Sequence, residues 1–417
     1  MVSSEPSQGA VQRVAIVGAG LAGVTCAQAL RAEGYAGEIT LIGDEAREAY
    51  DRPCLSKEYL LGEIEWPRPL MAPGWAQVAS VQELRQVRVT TLNATQRTLR
   101  LSDGHELHAD AVVLATGARA RQLCIPGSNL PGVCFLRTWD DAEKLRARMH
   151  LGCKVTLIGG GLIGAEVATA AQALGCSVTL LEAGSELLER GLGPEVGAFC
   201  RQALESRGVD VRLRAAVEQI EGETDVRLVR CHDGHAIAAD LVVVCVGAEP
   251  ASDLALAAGL DCAGGIRVDA RGRTSVSGIY AAGDVACWPV AGGGQRCLES
   301  YINTQQQALT VARTILNQNA APAEQTPRSW TAIAGHDIRV AGDMSLTGHT
   351  IFRGQLGSGA CLAWRVNGHR LLGVIAVDAL SEFSFAARLV ERGELDPARL
   401  HELTDTTMPL KRLLTRA

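Results

Sequence analysis

Two stretches of this sequence repeat a pattern that few folds can accommodate. Val14, Ala15, Ile16 and Val17 run into Gly18, Gly20 and Gly23, while Val155, Thr156, Leu157 and Ile158 run into Gly159, Gly161 and Gly164. Four apolar residues followed by G-x-G-x-x-G fit a buried strand, a tight turn and the start of a helix. The echo continues downstream: Asp103, Gly104 and His105 lead to Asp110 and an apolar run ending at Ala115, Thr116 and Gly117. Asp233, Gly234 and His235 lead in the same spacing to Asp240 and a run ending at Gly247. Between the parts of each copy lie a helical stretch and a second apolar strand, at Ile39 to Ile42 and Val178 to Leu181, as a right-handed parallel crossover requires. The chain therefore contains two copies of one α/β domain.

The glycines have separate physical tasks. The first permits the turn, the second lets the backbone reach a pyrophosphate, and the third brings helix against strand. Leu21 and Ala22 in the first copy, and Leu162 and Ile163 in the second, open helices whose free N–H groups and partial positive charge suit phosphates. In the second copy Glu182 follows the strand, 23 positions after Gly159, where a carboxylate accepts hydrogen bonds from an adenine ribose. A 2′-phosphate would meet that charge, so NADH should be favoured over NADPH by at least about tenfold. Arg190 is near enough in sequence to complicate that preference. In the first copy either Asp44 or Glu45 could take the ribose role, and spacing does not separate them. Gly283 and Asp284 end a further short strand; beside an FAD bound at the first copy, Asp284 is an acceptor for ribityl hydroxyls.

With 417 residues the chain is too long for one ordinary core and predicts two or three domains. Its net charge of −6 supplies no cationic field for nucleic acid. No run approaches the roughly 18 apolar residues of a membrane helix, and the polar start does not resemble a signal peptide. The thirteen cysteines are odd in number and scattered, without a C-x-x-C, so neither a disulfide framework nor a zinc site is expected. A reducing cytoplasm fits this usage. Residues 317–329 read as a linker, and the remainder as short strands plus a helix near residues 380–391.

Three further segments carry a resemblance. Tyr50, Asp51, Arg52, Pro53, Cys54, Leu55, Ser56 and Lys57 form one; Leu136, Arg137 and Thr138 a second; Arg296, Cys297, Leu298, Glu299 and Ser300 a third. Together with the glycine motifs they resemble the pyridine nucleotide-disulfide oxidoreductase superfamily, and within it the NADH-dependent ferredoxin reductases that serve bacterial oxygenases. The likeness covers almost the whole chain. It implies two Rossmann-like dinucleotide-binding domains of the glutathione-reductase-like kind and a C-terminal α+β domain. FAD would occupy residues 1–121 with 250–325, NADH residues 122–249, and residues 326–417 would form an interface domain.

The resemblance also implies roles. Lys57 would lie beside the flavin with Glu166, on the second fingerprint helix, as its carboxylate partner, and an ammonium there would stabilise the anionic character of reduced flavin. Arg52, Arg137, Ala115, Thr116, Gly117, Gly283 and Asp284 would contact FAD, and Gly247 would contact NAD. Hydride from NADH would reduce FAD, which would pass single electrons to a small iron–sulfur ferredoxin, Rieske-type, feeding an aromatic-ring-hydroxylating dioxygenase. The chain would work as a monomer or homodimer.

Two departures stand out. Cys54 replaces a second proline, which brings in a competing reading as a single-cysteine flavin NADH peroxidase or oxidase. Trp330, Thr331, Ala332 and Ile333 stand where the family commonly reads Trp-Ser-Asp-Gln. Trp330 is a candidate for stacking or electron relay, while the lost Asp-Gln pair bears on acceptor contacts. A rubredoxin reductase or a non-catalytic NADH-sensing flavoprotein would share the same front end. Residues 326–417 hold 11 Lys plus Arg against 9 Asp plus Glu, a balance that suits an acidic ferredoxin.

Overall fold

The computed structural model describes residues 11–290, 293–317 and 325–414. It divides into two compact units. One comprises the chain up to Asp51, then Arg68–Arg119 and Glu249–Gln325; the other comprises Arg52–Pro67, Ala120–Ala248 and the chain from Thr326 onward.

The first unit is built on a five-stranded parallel sheet. In spatial order its strands are Ile279–Ala281, Ala111–Leu114, Arg13–Val17, Glu38–Ile42 and Val81–Leu84. The central strands are buried continuously, as a sheet covered on both faces demands. Helix Leu21–Ala32 packs on it through Val24, Cys26, Ala27 and Leu30, and helix Tyr301–Ile315 joins the same core through Ala308, Val311 and Ala312.

The second unit repeats this plan. Its parallel strands run Asp210–Arg212, Ser177–Leu181, Lys154–Ile158, Leu241–Val244 and Val133–Cys134; read from the other edge, four keep the order of the first unit, while the edge strand Val133–Cys134 comes from upstream of the fingerprint rather than downstream. The duplication extends to a three-stranded antiparallel meander in each copy: Val89–Asn93, Thr98–Leu101 and Glu106–His108 in one, Val217–Gly222, Val226–Cys231 and Ala236–Ala238 in the other. The echoed aspartates close each copy in the same way. Asp110 accepts hydrogen bonds from the N–H groups of Gln12 and Arg13, and Asp240 accepts one from Lys154, so each ties the end of the meander to the start of the fingerprint strand.

From Arg328 the second unit continues as a five-stranded antiparallel sheet, ordered Arg328–Ile333, His336–Gly342, Arg370–Val377, Cys361–Asn367 and His349–Arg353. Helix Leu380–Arg392 covers it with Ala386, Ala387, Leu389 and Val390, and Trp364 is fully buried beneath. The α/β class with a C-terminal α+β portion is as expected. The expected linker is shorter at its far end, because Arg328 and Ser329 already pair with Ala341 and Val340; residues 318–324 of it lie outside the described residues.

One expectation needs correction. Cys287 and Cys297 face each other across antiparallel strands and form a disulfide. No spacing rule signals that pair; strand register alone brings the two together.

Candidate nucleotide and redox sites

Both glycine loops are sterically obligatory. Gly18 and Gly159 have φ of +113° and +107°, and a Cβ on either would stand 2.1 Å from Ala115 O and 2.5 Å from Cys245 O respectively. A Cβ on Gly23 would lie 1.9 Å from Gly18 O, and one on Gly164 2.0 Å from Gly159 O. The middle glycines differ: no neighbouring atom lies within 4 Å of a Cβ built on Gly20 or Gly161. Each of these two residues also caps its helix without a side-chain hydrogen bond, leaving the first-turn N–H groups to an outside acceptor. An open cradle in front of unsatisfied donors is what a dinucleotide pyrophosphate fits. In the second copy Leu162 and Ile163 are exposed beside that cradle although apolar.

The strand ends distinguish the copies. Glu182 directly follows Ser177–Leu181, and its carboxylate already accepts the Gly160 N–H at 2.7 Å and the Gly184 N–H at 2.6 Å. Two oxygens offer about four acceptor positions, so ribose hydroxyls can still be received. In the first copy the corresponding position is Gly43. Asp44, one residue on, forms an exposed pair with Arg88 at 2.9 Å, and Glu45 accepts from the Tyr50 hydroxyl at 2.7 Å. Arg190 is exposed at the start of helix Glu189–Ser206.

At the end of the first unit's sheet, Gly283 has φ of +82°, and a Cβ there would come within 2.9 Å of Ala22 Cβ. The close approach sets Gly283 and Asp284 against the first fingerprint helix. Gln307, which no sequence signal singles out, accepts the Gly283 N–H at 2.8 Å while its buried amide nitrogen has no protein partner. That spare donor adds to the fit of this unit to a hydroxyl- and carbonyl-rich cofactor such as FAD. Ala115 is buried and Gly117 has φ of +69°, with the Thr116 hydroxyl donating to Ala251 O at 2.8 Å; Gly247, the echo of Gly117, has φ of +105°.

In the second unit Lys57 and Glu166 form an ion pair, Nζ to Oε1 at 2.8 Å, with the carboxylate nearly fully buried. Lys57 also donates to Pro53 O at 3.2 Å. The Ser56 hydroxyl donates to Glu166 Oε2, and the Thr331 hydroxyl to Oε1 at 2.7 Å. Neither Ser56 nor Thr331 was reached from the sequence, since both contacts bridge long separations. Arg52 donates to Arg137 O at 2.7 Å, and the Arg137 N–H to Asp141, whose carboxylate closes the capping box at the start of helix Trp139–Arg148. Trp330 is half-buried beside Thr331 and pairs with Arg339 across the strands. Cys54 is buried in the turn Arg52–Ser56.

Burial pushes the thiols of Cys26, Cys200 and Cys245 up to about 12. Among the described residues there is no cluster of His, Cys, Asp or Glu able to hold a metal ion, and no helix long and apolar enough to cross a membrane.

Two dinucleotide cradles on duplicated α/β sheets, with a half-buried lysine paired to a buried glutamate, define a nucleotide-dependent oxidoreductase. The chain belongs to the pyridine nucleotide-disulphide oxidoreductase family, matched over residues 12–308, and residues 329–414 match the reductase C-terminal domain. It is similar to the benzene 1,2-dioxygenase system ferredoxin–NAD(+) reductase subunit of Pseudomonas putida, 47% identical over 400 residues covering 96% of this chain and 97% of that protein. It is 45% identical over 405 residues, 97% of this chain and 98% of the relative, to the biphenyl dioxygenase system ferredoxin–NAD(+) reductase component of Paraburkholderia xenovorans (strain LB400). Among solved structures, the covalent putidaredoxin reductase–putidaredoxin complex matches with a TM-score of 0.92 and 33% identity, covering 97% of this chain and 99% of that one. The family resemblance read from the motifs is borne out.

Proposed function

We propose that this chain is an FAD-dependent reductase that takes hydride from NADH and passes single electrons to a small iron–sulfur ferredoxin, Rieske-type, of an aromatic-ring-hydroxylating dioxygenase. The observation that carries this reading is the likeness to dioxygenase-system ferredoxin–NAD(+) reductases over nearly the full length of both chains, C-terminal portion included. The flavin supplies the conversion between a two-electron donor and a one-electron acceptor.

This chain's own residues bind and bias that chemistry. The Gly18, Gly20 and Gly23 loop with Asp284 and Gln307 would hold FAD, and the Gly159, Gly161 and Gly164 loop with Glu182 would hold NADH. Lys57, oriented by its ion pair with Glu166, would meet the anionic character of reduced flavin. We assign FAD to residues 1–121 with 250–325, NADH to 122–249 and acceptor docking to 326–417. Dependence on NADH fits a cytoplasmic location.

The test pairs the purified flavoprotein with a Rieske ferredoxin from a benzene or biphenyl dioxygenase system. NADH should drive catalytic reduction of the ferredoxin, followed by its electron paramagnetic resonance signal. Rapid flavin reduction with electrons passing only to oxygen would overturn the reading. Lys57→Ala should slow flavin bleaching by NADH at least about tenfold, the scale of one lost charge interaction; unchanged stopped-flow traces would remove Lys57 from the site.

A further inference from the structure

Glu166 is the meeting point of three segments of the second unit. It projects from the fingerprint helix Leu162–Ala173, receives Ser56 and Lys57 from the turn Arg52–Ser56 and the residue after it, and receives Thr331 from strand Arg328–Ile333. A second polar bond ties the turn just after that strand to the same helix: the Ala334 N–H donates to the Thr169 hydroxyl at 3.1 Å, three residues along from Glu166.

The terminal torsion of a glutamate is soft and roughly two-fold, so an ion pair alone does not decide which oxygen faces the lysine or at what angle. In this site the torsion is clamped from both sides. Ser56 holds Oε2, and Thr331 shares Oε1 with the Lys57 ammonium.

We propose that Thr331 is a positioning residue: its hydroxyl, opposed by that of Ser56, fixes the Glu166 carboxylate and through it the orientation of the Lys57 ammonium. This rests on the reading of Lys57 as the flavin-facing cation. It makes the C-terminal sheet a working part of the reductive half-reaction as well as a docking surface. Buried at 2% exposure, Thr331 acts only through Glu166.

The experiment compares wild type, Thr331→Val, Thr331→Ser and Lys57→Ala as FAD-loaded proteins. Valine keeps the shape and removes the hydroxyl; serine restores the hydroxyl and removes the methyl. Thr331→Val should weaken the preference for reduced flavin about tenfold, a fall of about 30 mV in the two-electron midpoint potential. It should also slow flavin reduction at saturating NADH by about tenfold, with the dissociation constant for NADH unchanged. Thr331→Ser should return both values to wild type, and Lys57→Ala should shift both in the same direction as valine. A Thr331→Val protein with wild-type potential and reduction rate, alongside a Lys57→Ala protein that has lost both, would overturn the positioning role and leave the proposed function standing. If Lys57→Ala also leaves the potential unmoved, the pair does not serve the flavin and the inference falls with that assignment.

Discussion

Replacing Glu182 by Gln tests coenzyme selection and separates it from loop support. The carboxylate clamps the glycine loop through the N–H groups of Gly160 and Gly184, and we propose that it also receives a ribose. Glutamine offers one carbonyl oxygen and one NH2, so one of the two N–H groups loses its acceptor. A hydrogen bond to a charged group is worth roughly 1.5–3 kcal/mol; for this half-buried side chain the free protein should lose about 1–2 kcal/mol, read from the urea midpoint. Loss of the charged acceptor for the ribose hydroxyls should weaken NADH about ten- to a hundredfold, taking 1.4 kcal/mol per factor of ten. NADPH behaves oppositely, because neutralising the side chain removes its repulsion of a 2′-phosphate carrying about 1.5–2 negative charges. The ratio of kcat/KM for NADH to that for NADPH should therefore fall by at least about tenfold. If kcat/KM falls by one common factor for both coenzymes, Glu182 is only a loop clamp and the ribose assignment is refuted.

Gly20→Ala should separate cofactor binding from folding: Gly20 has open space and an ordinary extended backbone, so stability of the FAD-free protein should change by less than about 0.5 kcal/mol while FAD affinity drops. Full FAD occupancy in that variant would show that the pyrophosphate does not use this cradle. Gly23→Ala, whose Cβ would meet Gly18 O at 1.9 Å, should instead destabilise the FAD-free protein by about 1–3 kcal/mol, seen in the same melts. Burial alone would raise the Asp110 carboxyl, but the Gln12 and Arg13 N–H groups and the Arg13 guanidinium outweigh it and hold it below the usual carboxylate range. A depressed carboxyl stabilises the fold above its unfolded pKa and loses that contribution as pH falls through its folded value. Asp110→Asn should thus cost about 1 kcal/mol at pH 7, discounted for partial exposure, and little at about pH 3; an equal cost at both would refute the linkage.

What could be read from the sequence was local or repeated. Glycine spacing encodes φ and close approach within a few residues, so both loops and their helices were legible. The duplicated run from Asp103 and from Asp233 announced a second copy down to its meander. Glu166 was reachable only through the family resemblance, because nothing in Ala165, Glu166 and Val167 marks a buried charge. Thr331, Ser56, Gln307 and the Cys287–Cys297 bridge were not legible at all. Each depends on which segments pack together, a tertiary fact that neither spacing nor composition carries.

The two copies also show how one scaffold is tuned to two ligands through paired small residues. Copy one has Ala19 inside its glycine loop and Gly43 after its second strand; copy two has Gly160 in the loop and Glu182 after the strand. These positions touch. A Cβ on Gly43 would stand 2.7 Å from Ala19 Cβ, and a Cβ on Gly160 would stand 3.0 Å from Glu182 Oε2 and 2.3 Å from Leu187 Cδ2. In the first copy the Ala19 methyl excludes a side chain at position 43; in the second, Leu187 more than Glu182 keeps the loop position bare. Where the loop has its methyl, the strand end is bare, and the first acidic residues after it are Asp44 and Glu45. Where the strand end carries a carboxylate, that carboxylate accepts the backbone N–H of the loop glycine, Gly160. The residue that can stand at the strand end in either copy is thus coupled to a loop position more than twenty residues away.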